Sequence, residues 1–138
     1  MTRTCAFLLS LFALGCAADS SGPVEPIWGK QPCDHCMMLL SEPPPAAQAL
    51  MGDGSRRFFD DVGCLAAYLA KSQVATKAAW VRGPGARGWV DAHAVHYTSG
   101  HRTPMDYGFL GDSTGLSFQE MQARVLAKAA ERRAQGSP

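Results

Sequence analysis

Six consecutive residues, Cys33-Asp34-His35-Cys36-Met37-Met38, carry two thiols, an imidazole and two thioethers. They limit what the rest of the chain can be. A fold built around them must bridge the thiols, bury them, or turn them toward a metal, and each choice needs a different scaffold. With 138 residues in all, that scaffold is one modest domain or two very small units.

The compartment bears on the choice. Arg3 precedes an apolar run, Cys5 to Leu14, too short to cross a bilayer and of the form of a signal h-region. The run ends in Ala13-Leu14-Gly15-Cys16, the arrangement of a bacterial lipobox. Cleavage before Cys16 and acylation of its thiol are therefore expected; an ordinary signal cut near Ala18 is the alternative. Each buried CH₂ of the acyl chains adds about 0.8 kcal/mol of anchoring. Residues 1–15 are then a signal, and residues 16–31, with Ser, Gly and Pro but no periodicity, read as a flexible tether. The expected location is the cell envelope, lipid-anchored and facing the periplasm. Losing Arg3 removes one of 13 basic residues and none of the 12 acids. The balanced remainder argues against nucleic acid and against electrostatic capture of an anionic surface.

With Cys5 cleaved off and Cys16 acylated, Cys33, Cys36 and Cys64 remain. An odd number of exported thiols leaves at least one unpaired. The Cys33/Cys36 spacing alone is ambiguous. A thiol–disulfide enzyme would place it at a helix N-terminus after a long strand, whereas Met37-Met38-Leu39-Leu40 reads as a short buried strand and no βαβ pattern surrounds it. A structural disulfide or a zinc knuckle stays open. Cys36-x-Met38 is sharper: on a strand these two share a face, and soft sulfur donors select Cu(I). The plainer account of Met38 is core packing, and Met37 offers a second thioether. Met105, in a loop with Pro104 before it and Gly108 after, is a candidate donor from the second half, with His101 as a companion or merely solvated. Cys64 reads as a buried inert thiol, with a Cys33 disulfide as the alternative. His35, His93 and His96 fit no ligand spacing, and no nucleophile elbow is present.

The chain divides into two units, 32–76 and 77–133. In the first, Ala46 to Met51 and Arg56 to Phe59 form a hairpin around Gly52-Asp53-Gly54-Ser55. Asp60 or Asp61 then caps a helix carrying Leu65, Tyr68 and Leu69. In the second, Ala78 to Val81, Trp89 to Asp91, Ala94 to Thr98 and Met105 to Leu110 are extended. Ser117 and Glu120 make a capping box before a helix striped by Phe118, Met121, Val125 and Ala129. Residues 134–138 should fray. The fold class is α+β, two tandem ββα-type units leaning on each other.

Cys-x-x-Cys-x-Met at 33–38, Phe59-Asp60-Asp61-Val62-Gly63-Cys64, Trp89-Val90-Asp91-Ala92 and Thr103-Pro104-Met105 recur in this order in one family. The chain resembles the NosL-type nitrous oxide reductase accessory lipoproteins, over roughly Cys33 to Ala129. The resemblance implies two ββα units like the non-catalytic part of organomercurial lyase. It also implies a non-enzymatic role: binding one Cu(I) and handing it to a client copper enzyme or its maturation complex. The family's Cys-x-Met pair falls on Cys36 and Met38 and its downstream methionine on Met105, with Met37 where the family usually has glycine.

Overall fold

In a computed structural model, which describes residues 21–136, the chain is an α+β fold with two antiparallel sheets and two α-helices. Strand β1 (Ala47–Met51) turns through Gly52–Ser55 into β2 (Arg56–Phe59). Asp53 shapes the turn by accepting from the Ser55 N–H (2.8 Å), the expected Asp-Gly chemistry. Helix α1 (Val62–Lys71) follows at once, capped by the Asp61 carboxylate on the Gly63 N–H at 2.8 Å. Then come β3 (Thr76–Arg82), a short 3₁₀ turn (Pro84–Ala86), β4 (Trp89–Asp91), β5 (His96–Thr98) and β6 (Leu110–Asp112). Helix α2 (Phe118–Ala134) opens on the expected Ser117/Glu120 capping box.

The larger sheet has the order β2-β1-β3-β4, and β5 pairs with β6 separately. Strands from the two expected units thus share one sheet, joined where Ala47 faces Val81 and Ala49 faces Ala79. One core runs through both halves. It includes Phe59, Val62, Leu65, Ala79, Val81 and Tyr97, together with Phe118, Met121 and Val125 from α2. Small residues at 46, 47, 49, 66 and 67 are all alanine and all buried, which lets α1 lie close to the strands.

The stretch expected to be a tether is fastened to the sheet from Gly22 onward. Val24 exchanges two hydrogen bonds with the buried Gln48 side chain, 3.0 and 2.8 Å. Glu25 accepts from Arg82 and from the indoles of Trp28 (3.2 Å) and Trp89 (3.0 Å). Arg82 itself lies 4.0 Å from the Trp89 ring and 5.7 Å from that of Trp28, so a desolvated cation is held by π-faces and a carboxylate together.

Two extended segments read from the sequence are different in the fold. The Met37–Leu40 strand is absent: Met37 has φ 66° and only the single bridge Pro32–Leu39 forms there. An apolar run of four carries no periodicity to separate strand from turn. Likewise 105–109 is irregular and only Leu110–Asp112 pairs. Tyr107 and Phe109 are buried there from a loop, which gave them the apolar pattern of a strand. Among the described residues no helix is long and apolar enough to cross a membrane. Cys16 and its lipobox lie outside the described residues.

Candidate metal centre

The Cys33–Met38 stretch is the tip of a tight hairpin. Its arms are closed by Leu40 N–H to Gln31 O (2.9 Å) and Cys33 N–H to Met38 O (2.7 Å), and its tip by Met37 N–H to Cys33 O (3.0 Å). Two aspartates attach this hairpin to the sheet. Asp34 binds the free edge of β2: its N–H donates to Phe58 O (2.8 Å) and its carboxylate accepts from Phe58 N–H (2.7 Å) and the Arg57 guanidinium (3.1 Å). Asp60, buried at the β2–α1 junction, accepts from the Ser41 N–H at 2.8 Å. The chain must then turn into α1, and Cys64 falls in the first helical turn, three residues after its cap.

These constraints bring Cys33, Cys36 and Cys64 together, with the three sulfurs within 4.8 Å of one another. All three are free thiols. Cys33 and Cys64 are fully buried, and Cys36 is half-buried. The hydrogen bonds within the cluster favour ionisation of one thiol over the other two. The Cys64 thiol donates to Cys33, and the backbone N–H groups of Cys36, Asp60 and His35 also point at that sulfur, so the Cys33 pKa falls to about 5 against the cost of burial. The positive end of α1 lies on the same side, favourable to a thiolate. Its two neighbours shift the other way: donation to the Cys33 sulfur, then burial, pushes Cys64 strongly upward. Burial, together with the Cys33 charge, raises Cys36 to about 11. Burial holds the neighbouring His35 imidazole below its ordinary value.

The remaining candidates take other positions. Met38 does not alternate with Cys36 on a strand; it sends its backbone N–H toward the Cys36 sulfur. Met38 is 44 % exposed and Met37 72 %. Met105 is partly buried against the core. Its loop is tied to the N-cap of the cysteine-bearing helix: Asp61 accepts from Thr103 Oγ1 (2.6 Å) and from the Met105 N–H (3.1 Å). Burial raises the Asp61 pKa while these donors oppose the rise. His101 is exposed and paired with Thr98 Oγ1 at 2.9 Å, and it takes no part in the thiol group. The Cys33–Cys64 disulfide considered from sequence is not formed, although the two sulfurs meet.

Cys64 was the member that spacing alone missed. It lies 28 positions from Cys36, and only the edge attachment of the hairpin and the short β2–α1 connection join them. The available signal was a cysteine left over from the Cys33/Cys36 pair, in the first turn of a capped helix.

An α+β protein with a three-thiol cluster at a sheet–helix junction is the class that fold and site define. No protein-family model matches the chain, and neither curated proteins nor solved structures give a significant match.

Proposed function

We propose that the protein binds one Cu(I) as cargo through Cys33, Cys36 and Cys64 and passes it to an acceptor, without catalysing a reaction of its own. The observation that carries this reading is the convergence of three sulfurs, one of them half-exposed. Thiolates favour soft ions. A structural zinc site closes with four ligands, and among the described residues no histidine or carboxylate joins the three thiols. Three donors suit a carrier: an acceptor's thiolate or thioether can enter at Cys36 before the buried pair lets go. The ordered motifs support a NosL-type assignment, with anchoring at Cys16, an envelope location and a copper enzyme such as nitrous oxide reductase as the client.

Titration of the reduced protein with Cu(I) against a competing chelator tests the reading. Binding of one ion per chain that Cys36→Ser weakens by at least about 100-fold is expected, since even outer-shell changes cost about 10–100-fold. Unchanged affinity in that variant would overturn it.

The depressed Cys33 thiol favours a second reading, thiol–disulfide exchange with Cys36 as partner. Burial of Cys33 opposes it, because the better nucleophile is the less accessible sulfur. Sustained reduction of insulin by the metal-free protein would make this the preferred function.

A further inference from the structure

A cavity of about 310 Å³ opens between α1 and the C-terminal part of α2, reaching the cysteine hairpin at His35. That is at the small end of ligand pockets, which start near about 300 Å³. We propose that this cavity binds a small thiol bearing two or more carboxylates, which brings Cu(I) to Cys36 or carries it away. The metal part of this inference rests on the copper reading; the binding part does not.

The walls specify the ligand. Lys71 and Arg133 stand at the cavity from the two helix ends, both exposed. Neither has an ion-pair partner among the described residues. Arg132, also in the wall, is already engaged by the Asp106 carboxylate (3.3 Å) and the Met105 carbonyl (2.9 Å). Two cations on separate helices call for an anion with two separated carboxylates. The rest of the lining is of a different kind. His35, the chain neighbour of Cys36, and Met105 both face the cavity. Their imidazole and thioether are donors suited to a soft ion. Tyr107 closes the wall toward the cluster, packed over Gly63 next to Cys64, where a Cβ would come within 2.2 Å of the ring. A simple dicarboxylate would satisfy the cations and leave the soft wall unused. A carboxylate-bearing thiol uses both.

The exchange balances without electron transfer. The ligand's S–Cu bond breaks as a Cys36 S–Cu bond forms, the Cys36 proton passes to the departing ligand sulfur, and copper stays Cu(I) throughout. Unloading is the reverse.

Reduced glutathione is the probe. Calorimetric titration of the metal-free, reduced protein should give one saturable site per chain. Lys71→Gln combined with Arg133→Gln should weaken it by at least about tenfold, with only a small drop in melting temperature, because both side chains are exposed and each loses only a last-turn helix-dipole contact. Cu(I) affinity measured against a chelator should be the same in that double variant, while loading from the Cu(I)–glutathione complex slows by a similar factor. S-methylglutathione should bind but deliver no copper. Absence of saturable binding, equal binding by the double variant, or loss of glutathione binding in Cys36→Ser alone would each overturn the cavity site. Glutathione binding without Cu(I) affinity in the wild type would overturn the copper reading and leave the thiol site standing.

Discussion

The two halves of the molecule both carry soft donors, and they hold them differently. In the first half, Cys33, Cys36 and Cys64 are gathered by backbone geometry: a hairpin tip stitched to a strand edge through Asp34, and the first turn of α1. In the second half, Met105 sits in an irregular loop positioned from outside, by Asp61 and Arg132. The first arrangement fixes sulfurs to within a few ångströms and buries two of them. The second leaves its donor on a cavity wall. If the protein carries copper as proposed, retention would fall to the first arrangement and transfer to the second.

The largest test of that contrast removes one donor from each half. Cys64→Ser should lower Cu(I) affinity by at least about 100-fold, while Met105→Leu, nearly equal in volume, should change it far less. Equal losses would erase the distinction between the halves.

Next in size is the electrostatics of the thiol cluster. Because the native Cys33 pKa, about 5, lies below its ordinary 9.0, the unfolded chain binds the extra proton between those values. Stability of the metal-free protein therefore rises with pH across that window, and the Cys33 contribution is lost as pH falls through about 5. Thiolate absorbance should persist to about that pH, and Cys33→Ser should flatten the denaturation midpoint over the same range. An absorbance step near 9 for all three thiols would contradict the hydrogen-bonding scheme.

A smaller effect is expected where the halves touch. Gly63→Ala drives a Cβ to 2.2 Å from Tyr107, an overpacking that costs about 1–3 kcal/mol and should appear in the melting temperature.

The last is Asp61→Asn. With its one acceptor oxygen kept on the Gly63 N–H, the amide NH₂ meets the Met105 N–H donor to donor, and the Thr103 hydroxyl must reverse. A loss of about 1–3 kcal/mol is expected, with Cu(I) affinity almost untouched. A large affinity loss would tie the Met105 loop to the retained site.

Much of this was readable in advance. The hairpin over 46–59, a helix cap at Asp60 or Asp61, the Ser117/Glu120 box and the stripe of Phe118, Met121 and Val125 follow from local chemistry that needs only near neighbours in sequence. Cys33 and Cys36 were visible for the same reason. The turn at Met37 was not, because four apolar residues in a row fit either a buried strand or a tip left exposed by what surrounds it. The tether was misleading in the same way: Glu25 and Trp28 look unremarkable until Arg82 and Trp89 are brought beside them.

By itself, then, the sequence determined which elements form, where α1 and α2 begin, and that soft donors are concentrated near residue 35. Only the tertiary structure decided that Cys64 joins Cys33 and Cys36, that hydrogen bonds from Cys64 and the backbone draw the Cys33 pKa down, and that Met105 faces a cavity instead of completing a strand. The reason is physical. Caps and turns are settled within a few residues, whereas a thiol cluster, the hydrogen bonds within it and a cavity wall depend on groups far apart in the chain. Strand-edge hydrogen bonds and burial bring those groups together.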